Sequence, residues 1–144
     1  MKRSLVVEAE GGPLGIAMVG ATVHDTTLLA QTLETIVVER PEPTAEAPQH
    51  LCLDKGYEHP TGPQAAAAYH DTPHIRRIGE EKFDARRRKR YPARRWVVER
   101  TLAWLSKCRA LLVRYDKHAS NFLGLLQLAC APLWLRRRAR LIRD

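Results

Sequence analysis

A chain of 144 residues, 44% hydrophobic and 28% charged, has the length of one domain with a real core and is too apolar to be disordered. Its charge is split: residues 1–74 hold 4 Lys/Arg against 10 Asp/Glu, a net −6, and residues 75–144 hold 20 against 6, a net +14. Cations concentrated in this way attract a polyanion, in solution usually nucleic acid.

Leu5–Ala9 and Leu14–Val23 are rich in Val, Ile and Leu around Gly11-Gly12-Pro13, which predicts two strands joined by a tight turn. In Thr26–Val38, Leu28, Leu29, Leu33, Ile36 and Val37 recur at helical spacing, with Asp25 placed as an N-cap. Pro41 to Pro48 is an acidic, turn-rich loop. Leu51-Cys52-Leu53 reads as a buried strand that delivers Asp54 at its C-terminal end. The alanines of Gln64–His70 suggest a short helix and Pro73–Ile78 a further strand. Cys52, Cys108 and Cys130 are odd in number and far apart, so a reducing compartment is expected, without disulfide framework or zinc knuckle.

Arg86-Arg87-Arg88-Lys89-Arg90 cannot be buried and serves as a linker or a phosphate-contacting segment. From Pro92, Val97, Thr101, Trp104, Leu105, Cys108, Leu111 and Leu112 fall on one helical face, and that helix is expected to end near Arg114-Tyr115. Ser120 caps a last helix through Leu128 and Ala129, which Pro132 interrupts or kinks before the basic tail Arg136-Arg137-Arg138-Ala139-Arg140. No stretch reaches the roughly 18 apolar residues of a membrane span. The apolar run after Met1-Lys2-Arg3-Ser4 is broken at Glu8 and Glu10, unlike a signal peptide, so a cytoplasmic protein without a membrane partner is expected.

Glu99 lies opposite the apolar stripe, with Arg95 one turn earlier on the same face. Spacing alone also describes an exposed ion pair worth a few tenths of a kcal/mol. The surrounding stretch RRWVVERTLAWLSKCRALLVRYD, residues 94–116, resembles the C-terminal signature of DDE-class insertion-sequence transposases, above all the large insertion-sequence family numbered five. GGPLGIAMVGATVHDTTLL, residues 11–29, and LCLDKGYEH, residues 51–59, are similar to that group's upstream segments and stand in the same order.

The resemblance implies an α/β, RNase H-like fold: residues 1–80 as the sheet-containing part and 81–144 as a basic helical part with the catalytic glutamate. It implies two aspartates and one glutamate gathering a pair of Mg²⁺ or Mn²⁺ ions, an oxygen-ligand site suited to phosphodiester chemistry. Asp54 matches the second aspartate and Glu99 the glutamate. Arg95 matches the arginine one turn before the glutamate, and Tyr91 and Lys107 approximate the motif's tyrosine and its later basic residue. With Arg86 to Arg90, the residues Arg94, Arg95, Lys107 and Arg109 are the expected DNA contacts, supported by Tyr91 and Trp96. The first strand, which carries the first aspartate in the family, has no match here. The sequence therefore reads as a truncated or downstream-frame transposase, with DNA, a second copy or an upstream polypeptide as partners.

Two rivals stand beside it. A non-catalytic nucleic-acid-binding protein would use the same cations, with Trp96 or Tyr91 stacking on bases and Trp104 in the core. A zinc site from His70, Asp71 and His74 has helical i, i+4 spacing, but Pro73 breaks the helix and the neighbouring glutamate of known zinc motifs is absent.

Overall fold

The computed structural model describes residues 1–75 and 94–142, with only the backbone of Asp25, Thr26, Arg95, Arg140 and Leu141. The run Arg86 to Arg90, Tyr91 and Pro92 lie outside the described residues. The architecture is mixed α/β: strands β1 (Lys2–Val7) and β2 (Pro13–Val19), helix α1 (Asp25–Glu34), strand β3 (His50–Leu53), a 3-10 turn Lys55–Tyr57, helix α2 (Thr61–Ala68), strand β4 (Thr72–Ile75), and helices α3 (Arg95–Leu105), α4 (Arg109–Leu112) and α5 (Ala119–Leu141).

The opening hairpin is present, with β1 antiparallel to β2 and a bulge between Val6 and Val7. Gly11 supplies the turn's left-handed conformation, φ +94°, and a Cβ there would meet Arg100 Nη2 at 2.9 Å. The Glu8 carboxylate closes the turn, accepting from the amides of Gly12 at 2.7 Å and Glu10 at 3.0 Å. Two helices then grip it. Thr101 Oγ1 on α3 donates to Gly11 O at 2.8 Å, and Trp134 Nε1 on α5 donates to Pro13 O at 2.8 Å. Arg137 pairs with both Glu8 and Glu10.

α1 buries Leu28, Leu29, Thr32 and Leu33. It stops at Glu34, four residues before the predicted end, because the amides of Thr35 and Ile36 donate to Thr32 O and Leu33 O, three residues back, and the Thr35 hydroxyl also donates to Thr32 O at 2.6 Å. Val37 is consequently 91% exposed rather than on a core face. Asp25 is the first helical residue rather than the cap.

β3 and β4 are parallel, joined through the 3-10 turn and α2. β3 is half-exposed, alternating outward His50 and Cys52 with half-buried Leu51 and Leu53, so it is not the fully buried strand expected. α2 ends in a Schellman motif: Asp71 N donates to Ala66 O and His70 N to Ala67 O, both at 3.0 Å, with His70 at φ +58°. Glycine is the residue that position favours. His70→Gly is therefore expected to raise stability by about 1 kcal/mol, a Tm increase of roughly 2–4 °C by calorimetry.

Asp71, 6% exposed, accepts from Arg40 Nη1 through both carboxylate oxygens, at 3.1 and 3.0 Å. This ties the loop after α1 to the end of α2. Asp71→Ala removes the anion and strands the guanidinium, which is still 26% exposed, so a loss of about 2 kcal/mol in urea unfolding is expected.

The core cluster joins Ile16 of β2 to Leu105 of α3, Leu111 of α4 and Phe122, Leu126 and Cys130 of α5. Phe122, Leu126 and Cys130 recur every four residues, which aligns one face of α5. Burial, and secondarily the nearby Cys108, push the Cys130 thiol above its ordinary pKa, and all three cysteines are free. Leu126 is fully buried, so Leu126→Ala is expected to cost about 3 kcal/mol in the same unfolding assay.

The single helix expected through Leu112 is two. α3 ends at Leu105, where Lys107 N and Cys108 N donate three residues back and Cys108 turns extended at ψ 113°. That break leaves Trp104 41% and Leu112 63% exposed, so neither is a core residue. α5 begins before Ser120 and continues through Pro132, which forfeits one backbone bond without ending the helix. The predicted basic tail is thus the helical last turns of α5, and Leu128 on its open side is 68% exposed.

Candidate active site and nucleic-acid interface

Asp54 stands immediately after β3 with an extended backbone, φ −71° and ψ 158°, and caps the 3-10 turn through Oδ1, which accepts from Lys55 N at 2.7 Å. This short turn fixes the carboxylate at the strand's C-terminal end, as the sequence implied. The side chain is exposed. Glu99 lies mid-way along α3 and is also exposed, because Val97, Thr101 and Leu105 take the buried face.

The elements carrying them have different supports. α3 packs on β1 and α5, whereas the turn after β3 packs on α1 and α2. Among the described residues no group of three or more His, Cys, Asp and Glu side chains is gathered to hold a metal ion. Asp54 and Glu99 are hard oxygen donors of the type Mg²⁺ or Mn²⁺ takes, but two separately anchored carboxylates do not amount to a complete site. An open cavity of about 330 Å³ lies elsewhere, lined by Leu33, Val38, Arg40, Tyr69 and His70 among others.

Of the cationic residues expected at DNA, those with described side chains are exposed around α3 and α4. Arg94 precedes α3 and is exposed, Arg95 is the helix's first residue, Lys107 lies in the break, and Arg109 opens α4. Trp96, 54% exposed, is covered by the Arg100 guanidinium 4.7 Å from its ring centre. The Trp104 ring centre has Lys107 Nζ at 5.8 Å and Arg136 Cζ at 5.2 Å. Arg100 and Arg136 were not among the expected contacts. The i, i+4 spacing of Arg100 from Trp96 was visible, but only the fold shows that α5 carries Arg136 to Trp104 of α3.

The histidine rival does not assemble. His70 occupies the left-handed end of α2 and His74 lies on β4, so the two share no helix.

The family model of the transposase DDE domain matches residues 1–134. The chain belongs to the DDE transposase family. A Burkholderia cepacia protein described as a transposase for insertion sequence element IS402 is 31% identical over 135 residues, covering 90% of this chain and 60% of that protein. This DDE-family chain thus spans about three fifths of the length of the curated relative it matches. No solved structure matches it. Among the described residues of the family member, no helix is long and apolar enough to cross a membrane.

Proposed function

We propose that this chain forms part of an RNase H-like catalytic domain that performs DNA transposition, with Asp54 and Glu99 as two of its metal-holding carboxylates. The observation that carries the reading is the division of the strands. The described residues contain two separate two-stranded sheets, β1–β2 and β3–β4, rather than one. A further strand that paired with the open edge of β1 and with that of β3 would merge them into one sheet. Such a strand would lie beside β3, which Asp54 ends, and beside β1, on which the Glu99 helix α3 packs, and it could carry the third carboxylate. An upstream polypeptide segment is the natural source of such a strand.

When bound, paired Mg²⁺ or Mn²⁺ ions would stabilise the attacking and leaving oxygens of a phosphodiester. The chain's own part is to fix Asp54 through its turn, to present Glu99 on a helix clamped to the hairpin, and to hold phosphates with Arg94, Arg95, Lys107 and Arg109. Transposon ends and target DNA are the substrates of this reading, with self-association and a cytoplasmic location following from it.

The test is Mn²⁺-dependent nicking of DNA carrying an insertion-sequence end, by the chain combined with an upstream segment that bears an aspartate on a strand. Nicking lost in both Asp54→Asn and Glu99→Gln, with DNA binding retained, supports the assignment. Undiminished nicking in either variant removes that residue from the site.

A non-catalytic nucleic-acid-binding role is favoured by one observation of its own, the exposed Trp96 and Trp104 rings with cations beside them, a pattern that stacks on bases. Binding without nicking in the combined assembly is its expected result.

A further inference from the structure

The parallel register of β3 and β4 sets His50 opposite Thr72 and Cys52 opposite His74. All four alternate with half-buried neighbours and face outward. The two imidazoles lean across the strands until His50 Nδ1 and His74 Nε2 are 2.7 Å apart, with ring centres at 4.8 Å and planes tilted by 52°.

We propose that His50 and His74 form a two-histidine clip for a borderline divalent transition metal of the Zn²⁺, Ni²⁺ or Co²⁺ class. At 2.7 Å the two ring nitrogens form a hydrogen bond in which one donates and the other accepts. When a metal takes the place of this hydrogen bond, the donor ring's proton moves to its other ring nitrogen through solvent, and each facing nitrogen then gives the metal one lone pair. With metal–nitrogen bonds of about 2.0–2.1 Å in tetrahedral geometry, the nitrogens stand about 3.3 Å apart. The rings therefore separate by roughly 0.6 Å, a small adjustment for exposed side chains.

The clip supplies two protein ligands and leaves the remaining positions to water. Cys52, on the same face opposite His74, is the nearest further donor in the ladder. Nothing competes from the carboxylate chemistry. Asp54 lies four residues beyond His50, about 13 Å along an extended strand, and Mg²⁺ prefers oxygen over imidazole. A bound ion would fasten β4 to β3, the strand that delivers Asp54, so occupancy raises the stability of the βαβ unit by mass action.

The experiment is a calorimetric titration of the full chain with NiCl₂, in buffer containing millimolar MgCl₂. One equivalent is expected to bind and to raise Tm. His50→Ala and His74→Ala should each weaken binding by tenfold or more rather than halve the stoichiometry, since both nitrogens serve one ion. Circular dichroism confirms that these surface variants keep the wild-type spectrum. His118→Ala, exposed and far along the sequence, should bind as wild type does. Absence of binding by the wild-type chain overturns the proposal, as does affinity retained in either clip variant or lost in the His118 control.

Discussion

Glu99→Gln is expected to lower metal-dependent DNA nicking by the combined assembly about 10³-fold or more, while the affinity for DNA stays within about twofold of wild type. The amide keeps the volume and the helix but removes the negative charge that, on the proposed reading, would hold a divalent ion. Metal stabilisation of a phosphoryl transition state contributes several kcal/mol, and about 1.4 kcal/mol corresponds to a tenfold rate change. A merely structural role for Glu99 predicts something else. The residue is exposed on a helix whose opposite face carries Val97, Thr101 and Leu105, so its substitution leaves the packing against β1 unchanged. The clean readout is the split between catalysis and binding, measured as single-turnover nicking against fluorescence anisotropy of the same duplex. Equal losses in both would make Glu99 a binding or folding residue.

The second large effect is on ionic strength. If about six to ten phosphates are contacted, raising salt from 50 to 200 mM weakens duplex binding by roughly 10³–10⁵-fold, since each neutralised phosphate releases condensed counterions. Arg94, Lys107 and Arg109 are exposed around α3 and α4, so each change to alanine should reduce the salt slope by about one without altering sequence preference. Arg137 is different. It is held by Glu8 and Glu10 on the hairpin turn and is half-buried, so Arg137→Ala should act mainly on stability. A flat response of log K to log salt would remove phosphate contact as the basis of binding.

Local chemistry made much of this legible. The Gly11-Gly12-Pro13 turn between Val-rich segments is a local device and was readable. So were the alanine-rich α2 and the half of α3 whose buried face recurs at three and four residues. The place of Asp54 at a strand end was readable because a short apolar strand ending in Asp-Lys-Gly is a local pattern, whereas Glu99 was singled out only by the resemblance of the residues around it to the family signature.

What failed depended on partners remote in sequence. Nothing near Trp104 shows that the helix breaks after Leu105 and turns this ring outward beside Arg136. The β3 run looked wholly apolar, yet one of its faces is exposed, where His50 and Cys52 emerge. The helical continuation through Pro132 reflects packing of Phe122, Leu126 and Cys130 against the hairpin, which outweighs one missing backbone bond. The acidic turn that clasps Arg137 pairs residues more than 120 positions apart.

Whether the two carboxylates serve one metal site is tested most directly by substituting Fe²⁺ for Mg²⁺ in the assembly of chain, upstream segment and DNA. Ascorbate and peroxide then generate hydroxyl radicals at the bound iron, and the protein fragments are mapped. Cuts clustered at residues 53–55 and 98–100 together, both suppressed by excess Mg²⁺, are the expected pattern. Cuts near only one of these segments, or at neither, would show that Asp54 and Glu99 do not meet around a shared ion.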